Sequence, residues 1–535
     1  MPSNKYQKPL LHRRIVTLLT IIHTGFTNGQ LTGIILSFTV GILSVFLFLK
    51  GKIRISIFFL FLSGLILRLV VANLDPFLNT WDEQFHALVA RNMMSNPLKP
   101  TLIHTPVLDY DFREWSSNYI WLHKQPWFLW QICLFFQLFG INEFVLRLPT
   151  VIMFSLLILI IYRTGKILIN DHVGWFSAFI YTFSYWFVNF VSGGTFTDHN
   201  DSAFIFYVSL SIWAFLEYQK SNNRKWVYWI GIFAGIAILN KWLVGLLVYS
   251  GWFVTFLVDS DKNRRKREFK NICISLLLTI AVALPWQLFT LIFYTKESLY
   301  VFGYYAKHYN EVLGGHEGSI WYYITQMPMQ FGRYAYYLVL PGLFFLVWKI
   351  PERKIKFVIV TYLLVTYLFY SLAKTKMPMF CDIVCPIIFL TFGTLLNIGF
   401  VIYKKIVWKK ISLFIFAVFL CYLAIDNLYM YHLDIWHSDK YIYWKTLRTA
   451  ALVDKYVAKK VHSEDCVLFN GGGFNTHMLM FYSGKVAYNG YPSEKDYHSI
   501  RDKKFKIAVF ADKNLPKYLK DDPAVEKIYL QCVSY

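Results

Sequence analysis

The sequence has 535 residues, of which 56% are hydrophobic, 19% aromatic and only 16% charged, and its mean hydropathy is +0.41. This composition excludes an ordinary soluble domain and is typical of a polytopic membrane protein. The formal net charge of +22 comes from short basic clusters between apolar segments rather than from one patch, which argues against nucleic acid as a partner.

Apolar runs long enough to cross a bilayer, which takes about 20 helical residues, recur along the first 430 residues. They predict an α-helical polytopic membrane protein with twelve spans, at residues 31–49, 55–74, 148–164, 172–191, 201–218, 226–240, 242–258, 271–294, 331–348, 357–374, 381–403 and 411–430. Residues 15–26 are apolar but short. They form either an interfacial segment or a thirteenth span.

Basic clusters occupy every second connection between the predicted spans: KGKIR, Arg163 with Lys166, KSNNRK, KNRRKR, KIPERKIK and KKIVWKK. Positively charged connections face the cytoplasm, so this alternation predicts the orientation of the whole chain. The connections left for the other side are 75–147, 192–201, 240–242, 295–330, 371–380 and the tail from 431. Basic residues at the N-terminus favour the thirteenth span, because twelve spans would place that end outside.

The tail lacks long apolar runs, and its two strand-like segments, 466–470 and 505–511, alternate with polar helical stretches. We therefore expect two domains: a transmembrane domain over 1–430, with a large extracytoplasmic loop at 75–147, and a soluble extracytoplasmic α/β domain over 431–535. The glycines at 471–473 follow a strand but match neither GxGxxG nor GxxxxGK, which predicts a tight turn.

The seven cysteines show no CxxC spacing, and most lie inside apolar runs, where they act as small hydrophobic residues. Cys466 and Cys532 both fall in the tail. They could form a disulfide if the tail is exported, although spacing alone does not decide it.

Two adjacent acids, Asp82 and Glu83, follow the second apolar run in the segment WDEQFHALVARNM. Carboxylates in this position can act as a general base, bind a cation or cap the helix that follows. The pair alone does not decide between these roles.

The other unusual polar residues are predicted on the same, non-cytoplasmic side as this acid pair. They are His123, Lys124, Asp198, His199, Asp201, Lys241, His316, Glu317, Lys374 and Lys376. A lysine at a helix end is often an interfacial anchor, but several lysines beside carboxylates also suit a phosphate and a hydroxyl nucleophile. His316 and Glu317 lack the HExxH spacing and a third ligand, so the sequence predicts no metal site and no certain cofactor; a divalent metal stays an alternative.

Seven motifs together resemble the GT-C membrane glycosyltransferases, specifically protein O-mannosyltransferases and the aminoarabinose transferases of lipid A. The matching stretches run in the family's order over about residues 55–390. They are WDEQFHALVARNM (81–93), HKQPWFLW (123–130), FGINEFVLRLP (139–149), DSAFIF (201–206), AILNKWL (237–243), ALPW (283–286) and KMPMF (376–380).

The resemblance implies an inverting transfer of a sugar from a polyprenyl phosphate to a hydroxyl acceptor outside the cytoplasm. It implies that Asp82 is the catalytic base and that Glu83 supports it. Lys124 would bind the donor phosphate, with Lys241, Lys376 and Lys307 as further phosphate ligands. Asp201 matches the second acid, although Asp198 is close enough to leave that register open.

Three positions depart from the family's pattern. The family has two prolines after the lysine, and here the first of them is Gln125. His123 replaces a glutamate, and Phe380 replaces the tyrosine of lipid A transferases. Lys307 would substitute for an arginine in the loop that carries His316 and Glu317, while His199 and His123 complete the predicted substrate-contacting set. The resemblance therefore does not select lipid A as the acceptor.

A transporter or flippase for lipid-linked sugars is the alternative function. Such proteins place functional charges near the membrane midplane, often in two related halves. The sequence shows no internal repeat, and its unusual polar residues gather at one rim, which favours the enzyme. Neither the sugar nor the acceptor follows from the sequence.

Overall fold

The computed structural model describes residues 25–529 except for 195–197, 407–408, 429, 462–464 and 472–475. Most of the short apolar segment at 15–26, most of the glycine run at 471–473, and Cys532 lie outside this part of the chain. Those three expectations therefore remain predictions.

A helix or a broken helix lies at each of the twelve predicted spans. The helices are α1 (Asn28–Leu49), α2 (Ile53–Ala72), α3 (Asp82–Met93), α4 (Trp127–Phe139), α5 (Glu143–Leu168), α6 (Asp171–Thr182), α7 (Tyr185–Asn189), α8 (Asp198–Ser221), α9 (Lys225–Lys241), α10 (Leu247–Val258), α11 (Lys262–Phe293), α12 (Thr295–Asn310), α13 (Tyr322–Phe331), α14 (Ala335–Lys349), α15 (Arg353–Leu372), α16 (Cys385–Ile406), α17 (Lys409–Leu428) and α18 (Met430–Trp436). Short 3-10 helices cover Phe190–Ser192, Trp242–Leu246 and Pro378–Val384.

Eight helical segments of the described chain are long and apolar enough to cross a membrane, and nine if the bent pair α13 and α14 forms one span. This is fewer than the twelve predicted, for three reasons. The predicted span at 172–191 is broken into short pieces, and α8 includes charged residues such as Asp201 and Glu217. In addition, residues 225–258, where two spans were predicted, are counted as one candidate span.

The chain nevertheless reverses direction inside that segment, at the predicted turn. Trp242 has φ 62° and ψ −157°, and Gly245 lies so close to Ala237 and Ile238 that a Cβ on it would meet their backbones at 2.9 and 2.7 Å. Residues seven positions apart in a continuous helix would be separated by about 10 Å. The segments α9 and α10 therefore form a hairpin, and Lys241 lies at its tip.

Small polar residues hold the first two spans together. Ser37 Oγ donates to the carbonyl oxygen of Ser63 at 2.8 Å, and Ser44 Oγ donates to that of Ser56 at the same distance. Such contacts let helices approach closely inside a bilayer, where apolar packing alone gives no preference over lipid. The result is a tight α1–α2 hairpin that leads into the loop at 75–147.

The tail contains one further long helix, α19 (Ile442–Lys460), followed by a small parallel sheet. The sheet has the order β2-β1-β3-β4, built from β1 (Cys466–Phe469), β2 (Ala487–Tyr488), β3 (Lys506–Phe510) and β4 (Val525–Ile528), with α20 (Thr476–Ser483), α21 (Glu494–Asp502) and α22 (Lys517–Lys520) between them. The strands β1 and β3 lie at the two segments predicted from the sequence. Parallel strands joined by helices confirm the α/β character of this region.

The tail packs directly against the start of the large loop and against α3 and α5. The rings of His477 and Phe85 lie 4.1 Å apart, and His477 Nε2 donates to the carbonyl oxygen of Ser116 at 2.8 Å. On α5, Glu143 accepts from Lys455 Nζ at 2.6 Å. The helix α3, which begins at Asp82, thus lies between the membrane helices and the tail.

Candidate active site

The first acid of the predicted site faces the first predicted phosphate ligand. Lys124 Nζ lies 3.7 Å from Asp82 Oδ1, and both side chains are largely buried, at 12% and 14% exposure. Asp82 opens α3, and Lys124 lies in the loop just before α4, so the two come from opposite ends of the 75–147 loop. The fold brings a carboxylate and an ammonium together where neither is fully solvated.

A second pair of the same kind forms between α8 and α9. Lys241 Nζ donates to Asp201 Oδ1, and Asp201 is 2% exposed. The ammonium of Lys241 also lies 4.3 Å from the ring centroid of Phe380, a favourable cation–π position. Phe380, which departs from the family's tyrosine, therefore contributes an aromatic face beside the lysine.

The two pairs belong to one group. Lys241 interacts electrostatically with Asp82 and Lys124 as well as with Asp201, so four charges share one region. We call Asp82, Lys124, Asp201 and Lys241 the charge cluster. Two positive and two negative groups, all partly or wholly withdrawn from water, can bind an anion and accept a proton in the same place.

Glu83 has a different environment from its neighbour Asp82. Its side chain is fully buried, and Arg147 holds it with two bonds, Nε to Oε1 at 2.7 Å and Nη2 to Oε2 at 2.9 Å. The backbone N–H of Asn79 donates to Oε2 at 2.7 Å. A carboxylate with these partners positions its surroundings rather than a substrate.

One predicted histidine, His199, lies beside these acids together with His86. His199 Nδ1 and His86 Nδ1 are 3.3 Å apart, and His199 Nε2 lies 3.9 Å from Glu83 Oε1. Burial, followed by the nearby His199 and Lys124, holds the pKa of His86 well below its ordinary value. His86, which the sequence did not single out, is therefore neutral at pH 7.

His123, next to Lys124, is enclosed by aromatic rings. Its ring stacks on Trp115 at 5.0 Å, and the hydroxyl of Tyr305 donates to its carbonyl oxygen. Burial, together with the adjacent Lys124, lowers the pKa of His123 to about 3. A neutral imidazole here adds no further positive charge beside Lys124.

Lys376 is already hydrogen-bonded within its own segment. Its Nζ donates to the carbonyl oxygens of Ser371 and Ala373 at 2.8 and 2.6 Å, and that of Tyr370 at 3.3 Å. Carbonyls at the end of a helix, here α15, lack partners inside the helix and are commonly satisfied by a basic side chain. A phosphate would have to compete with these bonds, so Lys376 acts here as a helix cap.

The remaining predicted residues lie in or just after α12, or have side chains that are not described. Lys307 is 57% exposed, and its Nζ lies 4.0 Å from Oε2 of Glu311, the residue that follows α12. His316 and the exposed Glu317 belong to the loop after α12, where the carbonyl oxygen of His316 accepts from the backbone of Lys376 at 2.9 Å. Asp198 begins α8, but its side chain is not described.

Three buried charged residues near the site were not assigned roles from the sequence. Arg147 lies in the matching stretch FGINEFVLRLP, Asp75 follows α2, and Asp382 follows KMPMF. Asp382 Oδ2 accepts from Trp186 Nε1 at 2.7 Å, and the carboxylate interacts electrostatically with Asp201. A charged residue at the edge of an apolar run was the available signal, because such residues are costly unless paired.

No group of three or more histidine, cysteine, aspartate or glutamate side chains in the described part of the chain could hold a metal ion. His316 and Glu317 accordingly have no third ligand near them among these residues. The chemistry that the described residues offer is that of paired acids and lysines.

A family model described as Dolichyl-phosphate-mannose-protein mannosyltransferase matches residues 123–289. This stretch holds Lys124, Arg147, Asp201 and Lys241, and thus three of the four members of the charge cluster.

Curated relatives are distant in sequence. An uncharacterised protein of Aquifex aeolicus is 23% identical over 304 residues, which is 56% of each chain. The undecaprenyl phosphate-alpha-4-amino-4-deoxy-L-arabinose arabinosyl transferase of Pseudomonas savastanoi is 25% identical over 266 residues, 48% of each chain. The chain thus matches about half the length of these relatives.

The fold is similar to that of two solved membrane proteins. ArnT from Cupriavidus metallidurans, solved in the apo state and bound to undecaprenyl phosphate, has a TM-score of 0.59 at 15% identity, covering 83% of this chain and 87% of ArnT. The oligosaccharyltransferase AglB from Archaeoglobus fulgidus has a TM-score of 0.52 at 11% identity, covering 80% and 64%. The family match over residues 123–289 and the shared fold confirm the predicted resemblance to the GT-C membrane glycosyltransferases of the protein O-mannosyltransferase and aminoarabinose transferase type.

Proposed function

We propose that this protein is an inverting glycosyltransferase that moves a sugar from a polyprenyl-phosphate carrier to a hydroxyl acceptor on the extracytoplasmic side of the membrane. The observation that carries the proposal is the charge cluster, because its two lysines and two carboxylates supply what this reaction needs. The undecaprenyl phosphate bound to ArnT, which has the same fold, supports a lipid-linked donor.

Asp82 acts as the general base in this proposal. It takes the hydroxyl proton of the acceptor while the acceptor oxygen attacks the anomeric carbon of the sugar. The bond between that carbon and the phosphate oxygen breaks, and its electron pair leaves with the polyprenyl phosphate. A single displacement of this kind inverts the configuration at the anomeric carbon.

Lys124 and Lys241 stabilise the departing phosphate. A phosphate leaving group needs no general acid when cations neutralise its charge, and cations work best in a site from which water is largely excluded. Asp201 holds Lys241 in place, whereas Glu83 and Lys376 support the backbone around the site. In this proposal Glu83 and Lys376 are positioning residues. The sequence had predicted Glu83 for catalysis and Lys376 for phosphate binding.

The proposed extracytoplasmic location rests on the alternation of basic clusters along the sequence. Along the sequence, the connections that carry these clusters alternate with the connections that carry Asp82, Lys124 and Lys241. The multi-pass helical architecture itself is consistent with an integral membrane protein.

Turnover of a labelled donor by the purified protein tests the proposal against the transporter alternative. The protein is reconstituted in nanodiscs, which have no enclosed compartment, and is given undecaprenyl-phosphate sugars with a panel of hydroxyl acceptors. Release of undecaprenyl phosphate by wild-type protein but not by Asp82→Asn supports the enzyme. If no donor is cleaved while vesicles with the protein move the intact donor between leaflets, the transporter function replaces it.

A further inference from the structure

The turn between α2 and α3, residues 73–81, sets the direction in which Asp82 points. Its last residue, Trp81, has φ 68° and ψ −127°, a conformation that a bulky L-residue rarely adopts. Such a conformation persists only where surrounding contacts over-determine it. The contacts of this turn therefore decide how firmly Asp82 is held.

Arg147 supplies the first set of contacts, from the membrane bundle. Its guanidinium donates to the carbonyl oxygens of Ala72, Asp75 and Phe77 at 3.0, 2.7 and 2.8 Å. The same group binds the carboxylate of Glu83, the residue after Asp82. One buried cation thus joins the turn to the first turn of α3.

Asn79 connects the two acids that flank Asp82 along the chain. Its side-chain amide donates to Asp75 Oδ2 at 3.1 Å and to Glu83 Oε2 at 3.2 Å. Asp75, Asn79 and Glu83 are all buried. A displacement of Asp75 is therefore transmitted to Glu83 through bonds that water does not replace.

The other partners of Asp75 come from the tail. His437 Nδ1 donates to Asp75 Oδ1 at 2.7 Å, and Trp444 Nε1 donates to the same oxygen at 2.6 Å. The second ring nitrogen of His437 lies 2.9 Å from Asn189 Oδ1 at the end of α7. Burial would raise the pKa of Asp75, but His437 and Arg147 outweigh it and lower that pKa, so Asp75 is the ionised member of this network.

We propose that His437 and Trp444 are positioning residues for catalysis, which act through Asp75, Asn79 and Glu83 to hold Asp82 against Lys124. The tail is then more than an outer covering: it completes the hydrogen bonding of the turn before the catalytic base. This inference rests on the proposed function only for its kinetic consequence, because the contact network itself is independent of the substrate.

Replacement of His437 by glutamine tests the proposal, with the exposed His498 of the same region replaced by glutamine as the matched control. Misplacement of a catalytic group by about 1 Å lowers turnover by up to about 100-fold. We expect His437→Gln to lower kcat on the order of 10- to 100-fold while KM for the donor stays unchanged. His498→Gln should match wild type in both constants.

Hydrogen–deuterium exchange gives a readout that needs no substrate. The backbone amides of residues 73–93 should exchange faster in His437→Gln than in wild type and in His498→Gln. In addition, the double variant Asp75→Asn, His437→Gln should be no slower in turnover than Asp75→Asn alone, because both changes break the same connection.

Trp444→Phe provides a second variant in case His437→Gln does not fold. It removes one hydrogen bond to Asp75 but keeps an aromatic ring against Phe77, whose centroid lies 5.4 Å away. Wild-type exchange at 73–93 and wild-type kcat in the folded variants would overturn the proposal. If wild-type protein cleaves no donor, the proposed function fails by itself, and the exchange measurement alone still decides whether the tail holds the turn.

Discussion

Lys124 and Asp82 lie 3.7 Å apart although they are 42 positions apart in the sequence, and neither is freely solvated. This distance is longer than that of a hydrogen bond, so a phosphate can bind the lysine while a hydroxyl approaches the carboxylate. Glu83, one residue along, has the opposite character, because Arg147 binds both of its oxygens. Adjacent acids in one helical turn thus have different environments.

Replacement of Asp82 by asparagine is expected to abolish most turnover and to leave the fold intact. A positioned general base contributes roughly 100- to 10,000-fold to the rate, and asparagine keeps the size and shape of the aspartate side chain. The measurement is kcat of the purified variant beside its thermal unfolding temperature. Turnover like that of wild type would reassign Asp82 to capping α3.

Replacement of Lys124 by methionine is expected to weaken donor binding. Hydrogen bonds to charged groups contribute about 1.5–3 kcal/mol, which corresponds to roughly a 10- to 150-fold loss in kcat/KM for the donor. The exposed Lys513 of the tail, replaced by methionine, serves as the control and should retain wild-type constants. Equal effects of the two substitutions would remove Lys124 from the proposed phosphate site.

Replacement of Glu83 by glutamine is expected to destabilise the protein more than it affects the chemical step. Breaking a buried ion pair leaves the remaining charge uncompensated, at a cost of about 3–5 kcal/mol, here on Arg147. Thermal unfolding in detergent, followed by tryptophan fluorescence, measures the loss. The double variant with Arg147→Met should lose less than the sum of the single changes; full stability of Glu83→Gln together with loss of turnover would return Glu83 to a catalytic role.

His477 is expected to make folding stability fall as the solution becomes acidic. Burial lowers the pKa of His477 from 6.5 to about 4, so below pH 6.5 the unfolded chain takes up a proton that the folded protein resists until about pH 4. The contribution of this residue to the free energy of unfolding is therefore complete well above pH 6.5, and about 2 kcal/mol of it is lost at pH 5. Unfolding temperatures between pH 7.5 and 5 should fall less steeply in His477→Gln, and the exposed His498→Gln should follow wild type.

The helices and the larger strands could be predicted because their signals are local. Apolar runs mark the spans, and β-rich segments mark β1 and β3. The broken helices at 171–192 escaped prediction because a continuous apolar run does not show where tertiary packing interrupts the helix. The reversal of the chain at Lys241 could be predicted, because a lysine and a tryptophan separate two apolar runs there.

The site was predictable in part, for a related reason. Asp82, Lys124, Asp201 and Lys241 stand out as charges beside apolar runs, and the family's motif order groups them. The partners of Glu83 and Lys376 could not be deduced: Arg147 reaches Glu83 from 64 positions away, and the carbonyls that bind Lys376 depend on where α15 ends. Sequence patterns indicate which charges are unusual, whereas only the packing shows which of them are already bound.

Trp444 lies 369 positions after Asp75, so the turn before Asp82 obtains its last hydrogen-bond donors very late in synthesis. The membrane helices can insert while Asp75 still lacks two of its partners. A chain that stops short of the tail would therefore carry every member of the charge cluster and yet hold its base loosely. If the proposed function is right, this order of assembly would keep an unfinished protein from consuming the donor.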